Sequence, residues 1–278
     1  MAETEVKGLP AVEDGHGPPM VFLHGYPLNH RMWDHQLAWF APRTHVLVFD
    51  LPGFGEAKEI PTPDTLEGFA AEVHVALRAH ALPPAVIVGH SFGGYVALQL
   101  YRDYPDDFAG LVLTDTRAAP DSPEVREKRL ATATRLETAG ETLDVEATVK
   151  GLFSATNLAA GGPEVGKVRE MVRSVPSSVL IPTLRAIAGR PDLNPILGTV
   201  QVPALVVWGA DDALIPPAQS QSMVAAIRGA VGVEVPQSGH LPMLERPDRF
   251  SEVVGRFIER SLRPIGEPSD RIDIPDAP

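Results

Sequence analysis

The chain of 278 residues has no cysteine, which removes disulfides, thiolate metal ligands and a thiol nucleophile from consideration together. It is short of positive charge, with 24 Lys and Arg against 36 Asp and Glu and a formal net charge of −12. Such a field repels phosphate backbones and anionic headgroups, so neither nucleic acid nor a membrane surface is an expected partner. A small organic molecule is. No apolar run approaches the roughly 20 residues needed to span a bilayer, and the acidic stretch Met1 to Asp14 lacks the apolar core of a signal peptide. The expected location is the cytoplasm.

What is present is a chain that is 44% hydrophobic, enough to bury a large core in one sizeable domain carrying an insertion. Short continuous apolar runs recur at Met20–Leu23, His45–Phe49, Ala85–Val88, Leu111–Leu113 and Ala204–Trp208, with a further strand expected near Gly232–Val235. Continuous rather than alternating apolarity suits strands covered on both faces, as in a parallel sheet. Helical patterns lie between them at Met32–Phe40, Thr65–His80, Gly94–Tyr104 and Pro217–Ile227, and Pro247–Leu262 closes the chain. The alternation predicts an α/β fold with right-handed crossovers.

One stretch breaks the rhythm. From Arg117 to Gly198 the patterns are helical without a strand, over Glu124–Ala139, Val145–Phe153, Glu164–Arg173 and Ser177–Ala188. More than 80 residues between two strands far exceeds an ordinary connection, so this stretch is expected to form a cap. The expected division is a core of residues 1–116 and 199–262, a helical cap of 117–198, and a disordered tail of 263–278 rich in proline and acid.

The most informative segment runs from Val86 through Gly89-His90-Ser91-Phe92-Gly93-Gly94 to Leu98. It reads as a buried strand, a glycine-pinched turn around a serine, and a helix, the pattern of a nucleophile elbow. Glycine at 89 and 93 lets strand and helix approach closely around a strained serine. A serine hydroxyl needs a base to take its proton, and the base needs a carboxylate to orient it.

Two post-strand loops can supply these groups. Trp208-Gly209-Ala210-Asp211-Asp212 follows one strand, and Ser238-Gly239-His240-Leu241-Pro242 follows the last, both at carboxyl ends where sites in open parallel sheets form. Of nine histidines, His240 is read as the base. His16, His30, His35, His74 and His80 fall in loops or on helix faces as solvated or packing groups, and His45 opens a strand. His24 and His90 flank strand ends, where they are expected to orient loops. Asp212 is preferred over its neighbour Asp211, and Asp115, after the strand Leu111–Leu113, is a rival that reads better as a loop-ordering residue. Developing charge on a carbonyl oxygen requires preorganised N–H donors. Phe92, after the serine, and Tyr26, in His24-Gly25-Tyr26-Pro27, are the expected pair, since Pro27 has no N–H. Tyr26, Phe92 and Leu241 are the expected walls of a substrate pocket.

Leu23-His24-Gly25-Tyr26-Pro27, Asp50-Leu51-Pro52-Gly53-Phe54-Gly55, the serine elbow, Gly209 to Pro216 and Ser238-Gly239-His240 together resemble the α/β-hydrolase superfamily. Asp115-Thr116-Arg117-Ala118 with Asp121-Ser122-Pro123-Glu124, and Ala188-Gly189-Arg190-Pro191-Asp192, resemble bacterial carboxylesterases and hydrolases similar to 3-oxoadipate enol-lactonase. The resemblance spans about residues 20 to 260 and implies a mostly parallel sheet of six to eight strands, with the opening strand pair shortened. It implies a serine carboxylic-ester hydrolase for short to medium acyl esters, with Ser91, Asp212 and His240 in the catalytic roles and neither cofactor nor metal. Three alternatives use the same scaffold: enol-lactone or carbon–carbon bond hydrolysis in aromatic degradation, a cofactor-free perhydrolase, and a ligand receptor. Ser91 argues against carbon–halogen and epoxide cleavage, which use Asp at that position.

Overall fold

The computed structural model describes residues 8–261; the tail expected at 263–278 lies outside the described residues. Seven strands form one sheet: β1 (Ala11–Asp14), β2 (Pro19–Leu23), β3 (His45–Phe49), β4 (Ala85–His90), β5 (Phe108–Thr114), β6 (Ala204–Gly209) and β7 (Val231–Val235). Their order is β1-β3-β2-β4-β5-β6-β7. Only the β1–β3 pair is antiparallel, and the other neighbours run parallel. The opening strand pair is thus reduced to the single strand β1.

Every residue of β2, β4 and β6 is buried, which explains why the apolar runs do not alternate. Successive side chains leave a strand on opposite faces, so Val21 and Leu23 join one core while Met20 and Phe22 join the other. The first core is closed by α2 (Leu66–Ala79) and α3 (Phe92–Asp103), and the second by α1 (Asp34–Phe40) and α12 (Pro247–Ser261). α12 is strongly amphipathic, burying Phe250, Val253, Val254, Phe257 and Ile258, the spacing of one helical face.

Between β5 and β6 lie α4 (Pro123–Thr138), α5 (Val145–Leu152), α6 (Ala155–Ala160), α7 (Pro163–Ser174), α8 (Ser177–Gly189) and α9 (Asn194–Leu197). Side-chain caps punctuate this region: Ser122, Asp144 and Ser154 each accept from the N–H three residues on, starting α4, α5 and α6. Each cap satisfies a donor that a helix start leaves unpaired. α4 and α8 share a small apolar cluster of Ala133, Leu136, Leu180 and Leu184, against which Tyr26 of the core packs. Two short helices follow, α10 (Pro217–Ala226) after β6 and α11 (Pro242–Glu245) after β7.

Because β3 lies outside β2, the chain reverses direction across the sheet between β2 and β4. A crevice opens at the carboxyl ends of strands at such a reversal, and the loops after β2 and β4 carry Tyr26 and Ser91 into it. The crossing of β4 and α3 depends on glycine: a Cβ on Gly89 would lie 2.5 Å from the Gly93 carbonyl oxygen and 2.8 Å from the Gly94 Cα. Both are backbone atoms that cannot swing away. Gly89→Ala is therefore expected to destabilise the fold by about 2 kcal/mol or more, read from urea unfolding midpoints. A loss below about 0.5 kcal/mol, the range of an ordinary surface change, would refute the close crossing.

Candidate active site

Ser91 links β4 to α3 with φ +50° and ψ −112°, a region that non-glycine residues enter only when their surroundings impose it. Those surroundings are visible. The Ser91 N–H donates to the Thr114 carbonyl at 3.0 Å, and the Thr116 hydroxyl donates to the Ser91 carbonyl at 2.8 Å. The N–H groups of Gly94 and Tyr95 close the first helical turn on that same carbonyl. A Cβ on Gly93 would strike the carbonyls of Leu23 and His24, so the N-terminus of α3 sits directly against the end of β2. Among the described residues, neither the Tyr26 nor the Phe92 N–H has a hydrogen-bond acceptor.

His240 is buried, and its Nδ1 is 2.7 Å from Asp212 Oδ2. Asp212 Oδ1 accepts from the N–H groups of Leu214 at 2.8 Å and Ile215 at 3.0 Å. Burial pushes the Asp212 carboxyl upward, but the contact with His240 and the two N–H donors outweigh it and hold the group below the usual carboxylate range. A carboxylate only accepts, so His240 Nδ1 donates to it. Asp211, the neighbouring candidate, is exposed and turns away.

Asp115 is fully buried with φ +44°. Its Oδ1 accepts from the Gly209 N–H and its Oδ2 from the Thr114 hydroxyl, both at 2.9 Å. The Asp212 carboxyl stands close beside it. Burial, and then the adjacent Asp212 charge, push the Asp115 carboxyl well above its ordinary range. The two carboxyls are driven in opposite directions, Asp212 down and Asp115 up, as expected for close acids that resist being charged together. Donor atoms of Asp115, Asp212 and His240 come within 4.8 Å of one another, but each is already engaged, Asp115 by Gly209 and Thr114 and Asp212 by Leu214, Ile215 and His240.

The supporting residues were only partly legible. His24 is a neutral bridge: its Nε2 accepts from the Leu51 N–H at 2.9 Å and its Nδ1 donates to the Gly25 carbonyl at 3.0 Å. His90 donates from Nε2 to the His240 carbonyl at 2.7 Å, and burial together with the nearby His240 keeps its ring neutral. His30, read as solvated or packing, instead ties its loop to Asp50, both its N–H and Nδ1 lying 2.6 Å from the carboxylate. Glu245 carried no signal, yet its buried carboxylate accepts from the N–H groups of Gly239 and Ser154 and from the Asn157 amide. It fastens the His240 loop to α6.

Ser91 and His240 share the walls of a cavity of about 260 Å³, with Tyr26 and Phe92 beside them. Leu241 does not line it. With His240 facing the cavity, the Leu241 side chain is turned into the core, fully buried in the cluster that holds Leu28, Met243 and Phe250. The remaining walls come largely from α4, α5 and α8, through Arg129, Thr148, Leu152 and Ile187. Sequence periodicity assigned none of these four, because helical patterns place residues on a face without saying what the face covers.

A seven-stranded, mostly parallel sheet with a serine at a strained strand-to-helix turn, and an Asp and then a His in later post-strand loops, is the arrangement of an α/β-hydrolase. The chain matches the model of the alpha/beta hydrolase family over residues 20–253, and it belongs to that family. Among solved structures it is similar to a thermophilic esterase from Thermogutta terrifontis, solved with malate bound. The TM-score is 0.86 at 34% identity, over 92% of this chain and 94% of that one. It is also similar to the enol-lactonase from Burkholderia xenovorans LB400, with TM-score 0.82 and 27% identity over 90% and 96% of the two chains. A pimeloyl-[acyl-carrier protein] methyl ester esterase of Xanthomonas oryzae pv. oryzae is 29% identical over 254 residues, 88% of this chain and 96% of the relative.

The upward push on the Asp115 carboxyl has a measurable consequence. At low pH both the folded and unfolded carboxyl are neutral; as pH rises through the ordinary carboxylate range only the unfolded one ionises, so folding stability is progressively lost. Asp115→Asn cannot ionise and so removes that loss. Its melting temperature relative to the unsubstituted protein is expected to rise from pH 4 to pH 7 by about 2 °C or more. A difference that stays flat, or falls, would mean that Asp115 is ionised in the fold.

Proposed function

We propose that the protein is a serine carboxylesterase that cleaves short to medium acyl esters through an acyl-enzyme. The observation that carries this reading is Ser91 at a positive φ in the same cavity as a His240 whose Nδ1 is held by Asp212. In the reaction, Ser91 Oγ attacks the ester carbonyl and His240 Nε2 takes its proton. Asp212 stabilises the imidazolium. The N–H groups of Tyr26 and Phe92 hold the developing oxyanion, assisted by the N-terminus of α3. Collapse expels the alcohol, which takes the proton from His240. Water then attacks the acyl-enzyme with His240 again as base, releasing the carboxylic acid and restoring Ser91.

Two further facts support the reading. The relatives include esterases and an enol-lactonase, whose names describe hydrolysis of an acyl–oxygen bond. The cavity, about 260 Å³, lies below the range of about 300–1,000 Å³ common for drug-sized ligands, which favours short to medium acyl groups. The chemistry calls on no metal or cofactor.

A series of p-nitrophenyl esters from acetate to palmitate tests the reading. Turnover is expected to peak at short to medium chains and to fall at least about a thousandfold in Ser91→Ala, with the melting temperature preserved. Turnover that survives in Ser91→Ala, or a folded native protein inert to the whole series, would overturn it.

A further inference from the structure

The cavity walls contain one feature that ester cleavage itself does not use. Among the described residues lining the cavity, Arg129 of α4 is the only one that carries a full charge, and the remainder are apolar or neutral. A guanidinium in such a wall needs a reason, because a cation held beside apolar surface gains little unless an anion meets it.

Its setting leaves it unneutralised. Asp121, whose side chain is fully buried, receives three guanidiniums: Arg117, Arg129 through Nε at 2.8 Å, and Arg190 through Nη2 at 3.0 Å. Three cations share one carboxylate, a local excess of two positive charges in a chain of net charge −12. The members are not equivalent. Arg190 is buried, and it spends its Nη groups on Asp121 and on the carbonyls of Ile187 and Ala119. Its guanidinium lies 4.3 Å over the ring of Tyr95, another cavity residue. Arg129 gives Asp121 only its Nε, and among the described residues its two Nη groups have no partner. Asp121 thus anchors the Arg129 head by one edge and leaves a forked pair of donors for a planar anion.

A second donor stands nearby. Tyr26 Oη is buried without a hydrogen-bond partner, an arrangement that costs free energy unless something else satisfies the group. Burial raises the phenol above its ordinary range, and the one charge that acts on it is Arg129. The hydroxyl therefore keeps its proton and can donate it.

We propose that Arg129 and Tyr26 Oη form an anion subsite, so that the preferred substrates are esters bearing a second, free carboxylate. This rests on the ester-hydrolase reading above. The Arg129 fork takes the two carboxylate oxygens and Tyr26 adds a third donor. The ester group is then presented to Ser91 by the other end of the molecule. The backbone N–H of Tyr26 faces the reacting carbonyl while its hydroxyl faces the distant carboxylate, so one residue spans both ends of the substrate.

The test pairs each acid with an ester in which a methyl replaces the carboxylate. Monomethyl glutarate against methyl pentanoate places the charge on the acyl side, and 4-acetoxybutanoate against butyl acetate places it on the alcohol side. The native enzyme is expected to favour the acid in at least one pair by about tenfold or more in kcat/KM, the effect of hydrogen bonds to a charged group. The pair that shows the preference identifies the side. In Arg129→Gln that preference ratio should collapse, chiefly through KM, and Tyr26→Phe should reduce it severalfold while keeping its backbone N–H. Equal or better turnover of the neutral member in both pairs by the native enzyme would overturn the subsite without any variant. A ratio unchanged in a folded Arg129→Gln would overturn it too. Failure of the esterase reading looks different: a folded native enzyme would then cleave neither member of either pair.

Discussion

Everything in this molecule that bears on chemistry depends on the close crossing of β4 and α3 around Ser91. The serine backbone adopts a conformation that costs on the order of 1–3 kcal/mol for a residue with a Cβ, and it persists because the crossing leaves no alternative. Gly89 meets the backbone of Gly93 and Gly94, Gly93 meets the carbonyls at the end of β2, and Gly94 meets Thr116. Thr114 and Thr116 then bind the Ser91 N–H and carbonyl from the next strand and its loop. The same compression sets the N-terminus of α3 beside the Tyr26 loop. The strained Ser91 and the two free N–H groups are thus consequences of one packing contact rather than separate inventions.

Around that contact, charge is distributed by burial. His24 and His90 are kept neutral by burial and serve as hydrogen-bonding struts for loop backbones. His240 and two N–H groups reward the Asp212 charge and hold that carboxyl down, while burial and the Asp212 charge push the neighbouring Asp115 carboxyl up. Positive charge is gathered where Arg117, Arg190 and the cavity residue Arg129 converge on Asp121. Glu245 ties the His240 loop to the start of α6.

The sheet was legible because its signal is local. Runs such as Ala85–Val88 are apolar at every position only when both faces are covered, and turn residues at their ends mark where loops must emerge. Ser91 and Asp212 stood out because they stand in loops that follow such runs, β4 and β6; His240 follows β7, where buried and exposed positions alternate, and it stood out by its Gly-His loop after a strand instead. Leu241 was misread because adjacency to His240 along the chain says nothing about which side of the loop its side chain takes; it lies in the core. Arg129 and Glu245 were invisible for a different reason. Their partners lie 8 and 103 residues away, Asp121 for Arg129 and Tyr26 for the same wall, or 6 and 91 residues away, Gly239 and Ser154 for Glu245, and only the fold brings them together.

The most direct test of the central claim, that the strained Ser91 is the nucleophile activated by His240, is covalent trapping with a fluorophosphonate probe followed by peptide mapping. The account predicts a single adduct on the peptide containing Ser91. It also predicts that an ester substrate blocks the adduct, and that labelling slows at least about a hundredfold in a folded His240→Ala. An unlabelled native protein, or loss of activity with the adduct on another residue, would contradict it.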